Sequence, residues 1–348
     1  MKNIKTVLLS ILALSSTSLL AQQEFQFSNY SDNPYLYNPA AGGLTGFTQI
    51  DLGFRDQHVS SDGNPMTVYA SGSTVLNFGK DKAERGVFNP DGKMLYAPPL
   101  NEVGQFKHVI GGKLINDGIG PFMKTGIMAT YAVHLPITDK VSFGVGLGLG
   151  WNNFSINPNK VSVLDEDDAV LQGFGARWNQ NNVDLQAGLT VYTKRFTFGF
   201  SGLQLLGNKL SFSDYHDESK LVSHWLFYSS YKAGLGPSIV LEPFVLMRAV
   251  KHTPFSVDLG AKLHYRYIWL GAQYRTSQSF VVSLGLNFLK NFYLSYAFEY
   301  SAKPTRVAVA GTHEVQVGIF FGKSRKNVLK ENAEKTGSES TPDSNSGK

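Results

Sequence analysis

The sequence contains no cysteine, few charged residues and, beyond its first 21 residues, no long hydrophobic run. The absence of cysteine excludes disulfide crosslinks and a lipid anchor on an amino-terminal cysteine. Charged residues make up only 17% of the chain, and the 32 basic and 27 acidic residues are nearly balanced once Lys2 and Lys5 are assigned to a leader. This balance gives no support to nucleic-acid binding. The chain is rich instead in glycine (35), Phe (24) and Tyr (16), which favours strands and tight turns over helices.

Residues 1–21 have the pattern of a cleaved secretory signal peptide. Lys2 and Lys5 precede an apolar stretch at 7–14, and the segment ends at Ala21. The alternative, an uncleaved anchor helix, is disfavoured because the apolar stretch is well below the ~20 residues that span a bilayer. The sequence therefore predicts an exported protein that is either soluble outside the cytoplasm or inserted as a transmembrane β-barrel.

From about residue 47 the chain consists of segments of about ten residues in which apolar and polar or small residues alternate, as in strands that contact lipid on one face. In 291–300, for example, Phe292, Leu294 and Tyr296 share one face, and Ser295 and Ala297 the other. We predict fourteen such strands, at 47–57, 66–78, 107–116, 121–135, 140–156, 182–193, 195–205, 222–235, 237–249, 254–265, 267–276, 279–289, 291–301 and 312–322.

The lengths of the connections depend on their position in the strand order. Those after strands 4, 6, 8, 10 and 12 are short, whereas those after strands 5, 7 and 13 are longer. Short turns at one end and long loops at the other are typical of outer-membrane barrels. We therefore predict that 157–180 and 207–221 are extracellular and that both termini are periplasmic. The connection 79–106 breaks this rule, and it is either a periplasmic contact element, a passive insertion or a sign of a miscounted strand.

The strands of a soluble β-sandwich also alternate apolar and polar residues. The choice between sandwich and barrel therefore depends on the residues of the face opposite the apolar one. Nearly all predicted strands have a continuous apolar face, and the other face collects charges that a dry sandwich core would not tolerate. These charges are Asp184, Glu242, Arg248, Asp258, Lys262, Arg275, Glu299 and Glu314. Aromatic residues near strand ends suit interfacial girdles, although Trp269 is out of phase and fits the lumen as well. We predict an all-β fold, a transmembrane antiparallel β-barrel of about fourteen strands.

These patterns divide the chain into four parts. A signal peptide (1–21) is followed by an amino-terminal segment with two Asn-Pro pairs (22–46) and by the barrel (47–322). The tail, 323–348, has almost no apolar residues, so we predict that it is disordered and periplasmic.

Four glycines, Gly144, Gly146, Gly148 and Gly150, lie on one face of the fifth predicted strand. A phosphate-binding loop would require the strand to turn into a helix at the glycines, whereas this run continues as a strand. The stripe either leaves room on the inner wall for a plug segment or neighbouring bulky side chains, or relieves curvature strain.

No pattern in the sequence indicates an enzyme, a cofactor or a metal site. The eight histidines are scattered, and no G-x-S-x-G elbow or phosphate-binding loop is present. A lipid hydrolase of the outer membrane needs its Ser and His on the outer wall, whereas Ser256, Asp258 and His264 fall on the predicted inner face. We therefore predict a protein that is not an enzyme.

Several short motifs, in this order, resemble the PorP/SprF family of type IX secretion system outer-membrane proteins. The first is the mature amino terminus, 26–43, in which Asn33-Pro34 and Asn38-Pro39 lie among aromatic residues and are followed by Ala-Ala-Gly-Gly. The others are Arg55-Asp56-Gln57, Gly63-Asn64-Pro65-Met66-Thr67, Gly111-Gly112, Asp117-Gly118, Gly120-Pro121, Tyr131-Ala132, His134-Leu135, Ser142-Phe143-Gly144 and Gly311-Thr312-His313-Glu314. The resemblance implies a non-catalytic outer-membrane barrel that serves the delivery or surface attachment of secreted proteins, notably adhesins with a C-terminal targeting domain.

Each proline in 26–43 fixes φ and biases the preceding Asn towards extended backbone, which predicts a shaped coil. This coil either enters the lumen as a plug against the glycine stripe or forms an ordered lead-in beneath the barrel. The candidate partner-binding or plug residues are Phe27, Tyr30, Asn33, Pro34, Tyr35, Tyr37, Asn38, Pro39, Gly144, Gly146, Gly148 and Gly150.

The function that we predict is the binding and retention, or delivery, of a secreted adhesin-like protein through its C-terminal targeting domain. The predicted partners are this cargo, other type IX secretion components and outer-membrane lipid, with no nucleic acid. The main alternative is a diffusion channel or hydrophobic-solute transporter, which the barrel permits equally. A barrel lipid hydrolase is a third hypothesis.

Overall fold

The computed structural model describes residues 26–59, 63–76, 103–157, 160, 179–210, 219–236, 238–251, 253–288, 291–302 and 311–321. The predicted signal peptide, most of the connection 79–106, most of the loop 157–180 and the tail 323–348 lie outside the described residues.

Within this part of the chain, fourteen long strands follow one another. They are β1 (Thr48–Gln57), β2 (Met66–Leu76), β3 (Lys107–Ile119), β4 (Phe122–Pro136), β5 (Ser142–Ile156), β6 (Asn179–Tyr192), β7 (Phe196–Leu203), β8 (His224–Tyr231), β9 (Ile239–Val250), β10 (Ser256–Tyr265), β11 (Ile268–Arg275), β12 (Ser279–Phe288), β13 (Phe292–Ser301) and β14 (Thr312–Phe321). A two-residue strand, Ala233–Gly234, continues β8 along β9, and Lys209–Leu210 pairs with Ser219–Lys220 between β7 and β8. Two short 3-10 helices, η1 (Pro34–Leu36) and η2 (Pro39–Ala41), precede the strands.

The strands close into an antiparallel barrel. Every strand pairs with its neighbours in sequence, and β14 pairs with β1, with Thr48 opposite Phe321. Closure leaves no strand edge with unpaired backbone groups, which is the condition for a sheet to span a membrane. The predicted fold class and strand number are confirmed, and the strand ends agree within three residues when Ala233–Gly234 is counted with β8.

The outer face of the wall is apolar and exposed. Leu149 and Val282 are 62% and 61% exposed, and similar side chains follow one another on every strand. A continuous apolar surface of this extent is stable only against lipid. Among the described residues, no helix is long and apolar enough to cross a membrane.

The inner face is polar, and all eight charges predicted for it are buried there. Trp269, which fitted either face, lies in the lumen and is 3% exposed. The reason is its register opposite His264, whose side chain points inward on β10.

The two ends of the barrel differ in the connections that they carry. We call the end with the connections β4–β5, β6–β7, β10–β11 and β12–β13 the turn end, because these connections are short. The opposite end carries the long connections β5–β6 and β7–β8, and we call it the loop end. β1 begins and β14 ends at the turn end, so the two ends of the barrel wall lie together, as the even strand number requires.

Candidate functional site: the occupied lumen

Residues 26–47 run through the inside of the barrel, and we call them the lumen segment. Phe27, Tyr30 and Ala40 are each at most 1% exposed, although none of them belongs to a strand. Strands on all sides of the barrel hydrogen-bond to the segment, through side chains and, at Leu189, through the backbone carbonyl. The described Asn-Pro residues therefore lie inside the barrel rather than beneath it.

The two Asn-Pro pairs start the two 3-10 helices. Each proline occupies the first helical position, where its missing N–H is not needed. The Asn38 side chain caps η2 by accepting a hydrogen bond from the Ala40 N–H (2.9 Å), and its Nδ2 donates to the carbonyl of Leu189 on β6 (2.9 Å). Asn33 Nδ2 donates to Ser71 Oγ on β2 (2.8 Å). The asparagines therefore fasten the segment to two separate strands of the wall, β2 and β6.

Aromatic side chains of the segment form the centre of the lumen core. The Phe27 ring lies 4.7 Å from the ring of Tyr69 on β2, and the Tyr30 ring lies 5.8 Å from that of Phe244 on β9, centroid to centroid. Tyr37 joins the two because its ring packs against both Phe27 and Tyr30. These contacts span the lumen from β2 to β9, so the segment fills the cross-section between these strands.

The hydroxyl groups of Tyr35 and Tyr37 are buried with hydrogen-bond partners. The Phe27 N–H donates to the Tyr37 hydroxyl (2.7 Å), and Tyr35 shares a 2.5 Å hydrogen bond with Thr130 on β4.

Six charged side chains of the wall form one continuous chain of ion pairs. The order is Glu314–Arg55–Glu299–Arg275–Asp258–Arg248, with N–O distances between 2.7 and 3.1 Å. Acids and arginines alternate, so every buried charge in this ion-pair chain has an opposite neighbour. All six lie within two residues of the loop end of their strands, which are β1, β9, β10, β11, β13 and β14.

The first described residues of the lumen segment are bound to this ion-pair chain. The N–H groups of Ser28 and Asn29 donate to the two carboxylate oxygens of Glu314 (2.7 and 3.0 Å). Ser28 Oγ donates to Glu299 (2.9 Å) and accepts from Arg55 (2.7 Å). Hydrogen bonds to charged groups are about twice as strong as neutral ones, so this end of the segment is firmly held.

The opposite end of the segment leaves the lumen at the turn end. Gly43 has a φ of +73°, which is the left-handed conformation that glycine adopts without strain, and its N–H donates to Ser73 near the end of β2 (3.2 Å). The chain then enters β1 at Thr48. The segment therefore crosses the whole barrel, from the loop end at residue 26 to the turn end at residue 47.

A second polar cluster lies nearer to the turn end. Asp32 of the segment forms an ion pair with Lys262, whose ammonium also lies 4.2 Å from the centre of the Trp269 ring. Asp32, Trp269 and the Glu242–His264 pair border a cavity of about 160 Å³ between the segment and the wall.

Of the four glycines in the predicted stripe, one contacts the lumen segment. A Cβ at Gly146 would lie 2.5 Å from the backbone nitrogen of Ala40, so only glycine allows η2 to pack there. The other three, Gly144, Gly148 and Gly150, make room for wall side chains such as His134 and Met128. On this face of β5, the absence of a side chain therefore leaves room for the lumen segment at one glycine and for wall side chains at the other three.

Replacing Gly146 with Ala is expected to displace η2, because the added methyl group overlaps the backbone of residues 39–40. The matched control is Gly148→Ala, since the nearest atom there is the flexible Met128 Sδ at 2.8 Å. Limited proteolysis of the purified barrel measures the release of the segment. Cleavage within 26–47 should rise in Gly146→Ala and stay low in Gly148→Ala, and equal resistance of the two variants would contradict the close packing.

Several residues of this site were not among the predicted ones. Arg55, Lys113 and Gly188 all contact the segment: Arg55 binds Ser28, Lys113 Nζ donates to the Leu36 carbonyl (3.1 Å), and a Cβ at Gly188 would overlap Asn38. The alternation of β1 and β3 was sufficient to place Arg55 and Lys113 on the inner face. No signal in the sequence indicated which of the many glycines would contact Asn38.

The inner-face residues considered for a hydrolase do not form a nucleophile–base pair. His264 hydrogen-bonds to Glu242 (3.0 Å), while Asp258 is held by Arg248 and Arg275. Ser256 lies 3.5 Å from Arg248, its nearest hydrogen-bonding partner. Within the described ranges, no three His, Asp or Glu side chains are grouped to hold a metal ion.

Comparison with known proteins gives one match at the level of a family. The model of the family described as type IX secretion system membrane protein PorP/SprF matches residues 19–319. A search of curated protein sequences found no significant match.

Solved structures of similar shape are outer-membrane proteins with low sequence identity. The toluene transporter TbuX of Ralstonia pickettii is 10% identical, with coverage of 82% of this chain and 91% of that chain and a TM-score of 0.44. Outer membrane protein Omp33 of Acinetobacter baumannii is 9% identical, with 80% and 100% coverage and a TM-score of 0.42. The toluene transporter TodX of Pseudomonas putida is 10% identical, with 85% and 93% coverage and a TM-score of 0.41. Likeness at this level supports no functional conclusion.

Proposed function

The chain belongs to the PorP/SprF family of type IX secretion system membrane proteins, and we propose that it is a non-enzymatic outer-membrane barrel that retains a secreted protein at the cell surface. The cargo is an adhesin-like protein, bound through its C-terminal targeting domain. On this proposal a signal peptide, cleaved near Ala21, exports the chain, the turn end faces the periplasm and the loop end faces the outside.

The single observation that carries this proposal is the occupied lumen. A diffusion channel needs a continuous water-filled path, whereas here the aromatic cluster of the lumen segment spans the barrel from β2 to β9. A barrel that is closed by its own chain is suited to anchoring a partner rather than to passing solutes. The plug role of Phe27, Tyr30, Tyr35 and Tyr37 is part of this proposal.

The long connections β5–β6 and β7–β8 provide the surface for such a partner. Both emerge at the loop end, next to each other, because β6 pairs with both β5 and β7. On this proposal, other components of the secretion system bind at the turn end. The sequence of the connection 79–106, at that end, supports a contact of this kind because it is polar and much longer than its neighbours.

Shortening the connections 157–180 and 207–221 together is expected to abolish retention of the cargo without reducing the amount of barrel in the outer membrane. Loops can be shortened at little cost when the strands that they join are paired independently. The measurement is the ratio of surface-attached to released cargo in cultures of the variant. Shortening of 303–310, the third long connection at the loop end, is the matched control, and full retention with both loops shortened would move the binding surface elsewhere.

The direct test is affinity purification of the tagged protein from native outer membranes, with mass spectrometry of what remains bound. A large secreted protein in near-equal amount would establish the attachment role and identify the cargo. Recovery of the barrel without such a protein would contradict it.

A further inference from the structure

The lumen segment determines at which end of the barrel the amino-terminal residues lie. Phe27, Ser28 and Asn29 are bound to Arg275, Glu299 and Glu314. These three wall residues lie within two residues of the loop end of β11, β13 and β14. The first described residues of the chain are therefore at the loop end.

The carboxyl end of the barrel wall is at the opposite end. Phe321, the last residue of β14, is paired with Thr48, the first residue of β1, at the turn end. The twenty residues from Ser28 to Phe47 thus cross the barrel once before the wall begins at Thr48. An ordinary barrel with an even number of strands has both termini at the same end, which is why both were expected to be periplasmic. Here the first and last described residues, Gln26 and Phe321, lie at opposite ends.

We propose that the start of the lumen segment, at Gln26, is presented at the loop end, where it forms part of the surface that receives the secreted partner. The position of Gln26 at the loop end rests only on the contacts of Phe27, Ser28 and Asn29 described above. The contact with the partner rests on the proposed function, because that function assigns the partner to the same end.

The contacts of Ser28 and Asn29 with Glu314 hold the start of the segment at the loop end. Glu314 accepts two backbone N–H groups and Arg55 while it is fully buried, so withdrawing the segment would leave a buried carboxylate without two of its donors. Gln26, immediately before these residues, is only half-buried. The chain therefore becomes accessible at the mouth of the lumen, just above the ion-pair chain.

The absence of cysteine makes a direct test possible, because any introduced thiol is unique. Three single-cysteine variants of the full-length protein are compared: Gln26→Cys, Ser277→Cys in the exposed β11–β12 connection at the loop end, and Asp139→Cys in the exposed β4–β5 turn. Each is treated with a membrane-impermeant maleimide on intact cells and after lysis. An epitope tag inserted after Gln23 is detected by antibody in parallel.

The expected result is that Gln26→Cys is labelled on intact cells as Ser277→Cys is, whereas Asp139→Cys reacts only after lysis. Labelling of Gln26→Cys only after lysis would overturn the proposal. If that thiol reacts in neither condition, the tag decides: antibody binding to intact cells supports the proposal, and binding only after lysis overturns it.

The contact with the partner is tested with a photo-crosslinking amino acid in place of Gln26, in the retained complex. A crosslink to the secreted partner supports the proposed surface. If Gln26→Cys is labelled on intact cells and the partner co-purifies, but no crosslink forms, the proposed contact is wrong. The proposed function then still holds. If no partner co-purifies at all, the proposed function itself fails, whatever the labelling shows.

Discussion

Deleting residues 26–43 is expected to convert a closed barrel into a conducting one. The deletion removes Phe27, Tyr30 and Tyr37, which fill the lumen, together with the two 3-10 helices. The wall that remains is lined by polar and charged side chains, which admit water. Steady conductance steps in planar bilayers should appear in the deletion variant and be absent from the intact protein.

The barrel is expected to survive this deletion because its own pairing does not depend on the segment. All fourteen strands remain paired, and the five ion pairs of the ion-pair chain connect only wall residues. A shift in electrophoretic mobility between heated and unheated samples verifies that the variant is folded. Deletion of 323–348 provides the matched control, which removes a terminal segment of similar length and should not open a pore.

Two outcomes would contradict the plug role. Steady conductance in the intact protein would favour the channel or transporter alternative. A folded deletion variant that stays silent would mean that side chains of the wall close the lumen by themselves.

Replacing Glu314 with Ala is expected to lower the free energy of unfolding by about 3–5 kcal/mol, the typical cost of breaking a buried ion pair from one side. Glu314 is fully buried, and it binds Arg55 and the N–H groups of Ser28 and Asn29. Its loss leaves the Arg55 charge with Glu299 as its remaining acidic partner and removes the acceptor of the Ser28 and Asn29 N–H groups. Denaturant titration in detergent micelles, followed by tryptophan fluorescence, measures the change.

The matched control for this prediction is Asp139→Ala, which removes the same charge from an exposed turn. A surface substitution of this kind usually changes stability by less than about 0.5 kcal/mol. In the double variant Arg55→Ala with Glu314→Ala, the loss should be smaller than the sum of the two single losses, because the two side chains share one interaction. If Glu314→Ala were as stable as Asp139→Ala, the ion-pair chain would not hold the barrel and segment together.

The wall of the barrel was predictable from the sequence because its signal is local. Alternation with a period of two assigns each side chain to a face without knowledge of its neighbours, so Asp258 and Glu299 were placed inside and Leu294 outside before any strand was paired. The same reasoning extends to Arg55, an inner-face residue that the resemblance had singled out only as part of a motif.

The candidate site was predictable only in part. The Asn-Pro residues and Gly146 were recognised as candidates, but the alternation of β5 could not distinguish Gly146, which contacts η2, from Gly148, which does not. The difference depends on where a segment more than a hundred residues earlier in the chain lies in space.

The sequence by itself therefore determined the class of fold, the number of strands and the face on which each charge lies, since these follow from the preferences of neighbouring residues. Only the tertiary structure decided that Glu314 meets Arg55 and the Ser28 N–H, and that residue 26 lies at the loop end. Those contacts join residues as far as 286 positions apart. They depend on the register with which β14 closes onto β1, which is set by all fourteen strands together and by no local pattern.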